Sequence, residues 1–164
     1  MSPRARKRLC ARGVCSGAPG RTLNFTVRRA MADRRKGINA ALRTWVVPAL
    51  RVAGFTGSLP HFRRRSEAGT IELLTFQFDK WGGGFVIEIA RCPVAGVTTY
   101  SGKQVPPGKV TAHDAPPNVR HRLQQRAGSG TDSWFRYDDG DYGRCAKEVL
   151  SKLSEAEAWW ASHV

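Results

Sequence analysis

Apolar residues recur every three or four positions in two stretches of this chain and every second position in a third, and that change of period lays out an architecture. The first helical stretch follows Asp33: Ile38, Ala41, Leu42, Trp45, Val46, Ala49, Leu50 and Ala53 share one face. Asp33 is placed to cap its start and Gly54 to end it. Pro48 falls inside the pattern and removes one backbone donor, so a kink or break is expected near Val47, with the apolar face continuing past it in one bent helix. The second helical stretch starts at Tyr142 and sets Cys145, Val149, Leu150, Leu153, Ala156, Trp159 and Trp160 at helical spacing. It predicts a closing helix whose two tryptophans finish the core.

Between the helices the period is two. Leu74, Phe76 and Phe78 alternate with Leu73, Thr75, Gln77 and Asp79, and after the turn "KWGGG" Phe85, Ile87 and Ile89 alternate with Val86, Glu88 and Ala90. This is a hairpin with one aromatic and aliphatic face, expected to pack on the first helix. Ahead of it, "GFTGSLP" reads as a turn, His61 to Arg65 as a short edge strand and "SEAG" as a hairpin turn. Residues 92 to 118 are rich in Gly and Pro without a period and read as a long irregular loop, of the kind that is often functional or mobile. "VRHRLQQ" supplies a further strand, with "AGSGTD" a flexible connector to "SWFRY". Helices at both ends of such a meander can share one face of the sheet. The expected fold is therefore α+β, a two-layer sandwich with an antiparallel sheet of three to four strands and the N- and C-terminal helices on one face.

Charge divides the chain. Of the 27 basic and 13 acidic residues, eleven bases and one acid lie within residues 1–36, so the arm carries most of the net charge of +14. A near-neutral body weakens any argument for nucleic acid from the whole protein. The first thirty residues lack acids and any sustained period, which predicts a disordered arm over 1–32 ahead of a single domain over 33–164. The arm reads as a phosphate-attracting tail, as an Arg-rich transit peptide, or as upstream sequence translated in frame with initiation at Met31. The last is favoured because the first helix-start signal comes just after that methionine.

Cys10, Cys15, Cys92 and Cys145 are too widely spread for a disulfide framework and read as free thiols of a reducing compartment. Zinc sites come as two close pairs of ligands, and only the loose pair Cys10 and Cys15 is present, so no metal and no cofactor is expected. No apolar run is long enough for a membrane span, and no secretory signal is legible.

Several landmarks occur in a telling order: "VVPALRVAGF", then "HFRR", then "LLTFQFDKWGGGFVIEIA", then Arg122 and Leu123 ahead of "SWF", and a final helix ending in "AWW". Together they resemble a family of small bacterial proteins known only as domain-of-unknown-function family 4304, over residues 33 to about 162. The resemblance implies an α+β fold and a cytoplasmic bacterial setting, and brings no catalytic residues. The first thirty residues fall outside it.

Candidate chemistry is sparse. Arg63, Arg64 and Arg65, beside His61 and Phe62, could grip a phosphate or carboxylate, although arginines on an edge strand also guard against sheet-to-sheet pairing, which is the favoured reading. Trp134 with Arg136 could form part of a stacking platform with Phe135 and Tyr137, but aromatics alternating near a sheet are more often core. Trp81, on the hairpin turn, has less structural excuse and, if exposed, marks a contact surface. His113 and Asp114, with His121, are raw material for acid–base chemistry, but no nucleophile motif accompanies them. Asp138, Asp139 and Asp141 lack the distal Glu of a calcium loop and read as a solvated turn favouring the last helix. These readings point to a non-enzymatic binding or protein-interaction module, with nucleic-acid binding through the arm and Arg63 to Arg65 as the alternative. The expected partner is a protein, with nucleic acid second and no membrane.

Overall fold

The computed structural model describes residues 20–123 and 134–163. It shows an α+β fold. Helix α1 (Gly20–Ala41) runs through a π turn (Leu42–Val46) into α2 (Val47–Val52). Helical backbone thus begins well before Asp33, which lies inside the helix and does not cap it, and it crosses the expected boundary between residues 32 and 33. The rest of the expected arm, residues 1–19 with Cys10 and Cys15, lies outside the described residues, as does the connector "AGSGTD". The π turn is the answer to Pro48. The Val47 N–H bonds back to the Leu42 carbonyl, five residues away, which leaves Pro48 in the first turn of α2, where its missing donor costs nothing. Gly54, at φ 86°, then ends the helix as expected.

Ile38, Leu42, Val46 and Leu50, four residues apart, are buried and form the stripe that faces the sheet. Trp45, expected on this face, falls beside the stripe and is 48% exposed. Gly37 is where α1 crosses the last helix: a Cβ there would sit 2.3 Å from the Tyr142 ring, so only glycine permits the approach.

The sheet is antiparallel, with β1 (Thr56–Ser58), β2 (His61–Arg65), β3 (Thr70–Phe78), β4 (Gly84–Pro93) and β7 (Arg120–Leu123) side by side in that order. A sixth strand, β8 (Phe135–Arg136), continues along the same edge of β4 beyond β7. Among the described residues six strands replace the expected three to four, because β1 and β8 are too short to show a period. The short β1 pairs with His61–Arg63 of β2, so that edge is covered at Arg63 but not at Arg64 and Arg65.

Helix α3 (Tyr142–Ser162) packs with α1 and α2 on one face. Asp141 caps it by accepting the Arg144 N–H at 2.9 Å, which gives the acidic turn its structural role. Leu74, Phe76, Phe85, Ile87 and Ile89 face these helices, as their alternation predicts. Trp160 closes the core, its Nε1–H donating to the Ala90 carbonyl at 3.0 Å. Trp159 does not share that burial and lies half-exposed.

The segment expected to be a long irregular loop is ordered. It forms a small ribbon, β5 (Val97–Thr98) with β6 (Gln104–Val105), and two 3-10 turns (Ala112–Asp114 and Pro117–Val119). It lies on the helix-free face, where Val105, Val110, Ala112 and Ala115 bury Ile71, Leu73, Ala90 and Cys92 in a second, smaller core.

Candidate functional site

Strand register assembles a polar row on the helix-free face. His61 lies opposite Thr75, Thr75 opposite Glu88, and Glu88 opposite Arg122, so four adjacent strands place one polar side chain each at the same level. The first 3-10 turn closes over this row. Thr75 Oγ1 takes the Ala112 N–H at 3.2 Å and contacts His61 Nδ1 at 3.2 Å; His113 Nδ1 meets Glu88 Oε2 at 3.0 Å. Arg122 donates to Glu88 Oε1 at 2.9 Å, and Arg120 stands 3.5 Å from Oε2. Thr111 and Asp114 hold the turn's shape through a reciprocal capping box.

Glu88 is only 7% exposed. Burial works to raise its pKa, but the Arg122 hydrogen bond and the charges of His113, Arg122 and Arg120 outweigh that and hold the carboxyl below its ordinary range. His61 is held below the ordinary imidazole value, first by burial and then by His113 and Arg63. Glu88 is therefore an anchored anion, a poor proton acceptor. The thiols are no better suited to chemistry: burial pushes Cys92 up to about 11 and Cys145 up to about 12. The sheet also separates His113 from His121. His121 sits opposite Ile89 on the helix face and stacks on Trp159, so the acid–base set of His113, Asp114 and His121 is not one site.

The arginine triplet is divided by the pleat. Arg64 faces the helices, donating to Glu72 Oε2 at 2.7 Å and, through both Nη atoms, to Glu157 of α3 at 3.0 and 2.7 Å. Arg91 supplies Glu72 with a second partner at 3.1 Å. Arg63 points to the other face and donates to the Gly108 carbonyl, tying down the ordered segment, while Arg65 is exposed at the strand end. The three guanidinium groups form no common anion grip.

Of the predicted aromatics, Phe135 and Tyr137 are fully buried and present no stacking platform. Trp134 is half-buried beside them, and Arg136 is exposed and paired with Asp138 at 3.1 Å. Trp81 stands apart at 69% exposure. The turn that carries it is built for that position: the Trp81 N–H donates to Asp79 Oδ1 at 3.0 Å, and Gly82 and Gly83 take φ of 83° and 85°. Lys80 Nζ lies 4.9 Å from the indole. Met31 of α1 packs at 3.7 Å from where a Gly82 Cβ would be, so the hairpin tip abuts a helix that carries exposed Arg29 and Arg34.

Sequence reasoning singled out Trp81, which is exposed, but missed the polar row. Glu88 facing outward on a strand was its only local sign; the register that gathers His61, Thr75 and Arg122 is not local. Among the described residues no group of three His, Cys, Asp or Glu is placed to hold a metal ion, and no helix is long and apolar enough to cross a membrane.

No curated protein and no solved structure matches this chain. The family described as "Domain of unknown function (DUF4304)" matches residues 46–163, from the π turn through every strand of the sheet to the end of α3. The chain belongs to that family.

Proposed function

We propose that this chain is a non-enzymatic protein-interaction module whose contact surface centres on Trp81. One observation carries the reading: a tryptophan 69% exposed on a hydrogen-bonded turn, with Lys80 beside it and the arginine-bearing helix against the turn. Tryptophan and arginine dominate the energetics of protein contacts, and a rigid turn presents the indole with little ordering cost. The partner is a protein offering an apolar pocket ringed by acids. The anchored Glu88 and the raised thiols support the non-enzymatic half of the reading. The buried free thiols Cys92 and Cys145 agree with a reducing compartment such as the cytoplasm.

The test is affinity capture on the immobilised full chain at low and at high salt, repeated with Trp81→Ala. A protein retained at high salt and lost with the variant, at a cost of about thirtyfold or more in affinity, is the expected outcome. A ligand that is nuclease-sensitive, salt-labile and indifferent to Trp81 assigns the chain to nucleic acid and overturns the proposal. That rival rests on Arg63, Arg65 and the basic arm, because Arg64 is turned inward.

A further inference from the structure

The β3–β4 hairpin has a second end, far from Trp81. There, where α3 runs out beside the start of β3 and the end of β4, a hollow of about 570 Å³ opens. That volume lies within the range of small-molecule sites. Its walls are mainly apolar: Pro93, Val94, Val119 and the edge of Trp159. Trp159 is a rigid wall, since its ring stacks with His121 at 5.8 Å and with His163 at 4.4 Å between centroids.

The polar part of the lining is one-sided. Arg91 and His163 contribute to it with the neutral Thr70 and Asn118, and among the described residues no Asp or Glu does. Arg91 is fixed in place: its Nη1 donates to the His163 carbonyl and its Nη2 to Glu72, and the side chain is 12% exposed. Each of those nitrogens carries a second N–H, so the held guanidinium can still offer donors to a ligand. Because Glu72 already offsets part of its charge, the site suits a single carboxylate better than a doubly charged phosphate.

We propose that this hollow binds a small apolar monocarboxylate, its aromatic or aliphatic body against Val94, Val119 and Trp159 and its carboxylate at Arg91. Calorimetric titration of the full chain with 4-phenylbutyrate, and with 4-phenyl-1-butanol as its uncharged twin, tests both halves. The expected result is saturable one-to-one binding, with the acid about tenfold tighter than the alcohol, and no change in Trp81→Ala. Val119→Trp fills the hollow and abolishes binding while circular dichroism stays native; if that variant does not fold, Val94→Trp takes its place. Equal binding of acid and alcohol, no saturable binding at millimolar concentration, or full binding by the folded wall variant each overturns the proposal.

Discussion

Two buried carboxylates sit on neighbouring strands of one sheet and face opposite ways, and they are managed differently. Glu72 of β3 lies between its direct cross-strand neighbours Arg64 and Arg91, and the row is closed by α3 through Glu157 and the His163 carbonyl. Glu88 of β4 lies between Thr75 and Arg122, and its row is closed by a three-residue 3-10 turn through His113 and the Ala112 N–H. The same device, a charge satisfied across strands, is thus sealed on one face by a 21-residue helix and on the other by a short turn. A long helix carries its own hydrogen bonds and a large core, so it leaves only when the protein unfolds. A single turn with a small core can lift alone.

Four measurements sharpen or break that contrast. The largest effect belongs to Trp160→Ala, which removes a core indole and its bond to Ala90; about 3–5 kcal/mol should be lost in denaturant unfolding, with protection falling across the whole sheet. Val110→Ala on the other face should cost less, about 1–2 kcal/mol, and hydrogen exchange should rise only within residues 93–119. Global loss from the Val110 change would mean that the two faces form one cooperative unit.

Next come the carboxylates. Glu72→Gln leaves the well-buried Arg91 without its carboxylate and Arg64 with Glu157 alone, and should cost about 3 kcal/mol. Glu88→Gln should cost about 1 kcal/mol, because Arg122 and His113 are a third or more exposed and water replaces much of what is lost. Comparable losses in the two variants would contradict the asymmetry.

The third measurement is pH. His61 binds its proton less readily when the turn is closed, so the open form takes up protons first, and stability present above the ordinary 6.5 declines as pH falls from there. Glu88 has its pKa depressed, so its contribution is present above the ordinary 4.5 and is lost as pH falls through the depressed value. Both signs agree, and between pH 5 and pH 7 His61 carries the effect: acid should loosen residues 106–119 before the helix face, read by amide exchange at those two values. An unchanged exchange pattern between those values would remove the pH argument. The smallest effect is expected from His113→Gln, at about 0.5–1 kcal/mol, since its side chain is 40% exposed.

Much of the fold was legible because it depends on local period. Phe76 and Phe85 announced their face, Gly54 its helix end and the glycines after Trp81 their turn, each through backbone geometry that a few neighbouring residues determine. The misses share a cause. Asp33 looked like a cap because it precedes the apolar stripe that starts at Ile38, and Gly20, Thr22, Asn24 and Thr26 upstream are weak helix formers. The segment after Cys92 looked irregular because its order comes from contact with a sheet face distant in sequence, through Val110 on Leu73 and Ala112 on Thr75. The candidate arginine cluster dissolved because adjacent residues on a strand point to opposite faces.

The chain alone determined the apolar stripes of its helices, its central hairpin, the turn that carries Trp81 and its family, because these follow from periodicity and turn chemistry within short windows. Tertiary structure decided which charges meet. Glu72 with Arg64 and Arg91, Glu88 with His113 and Arg122, and the hollow beside Trp159 all arise from strand register and helix packing between distant segments, and no local pattern encodes those distances.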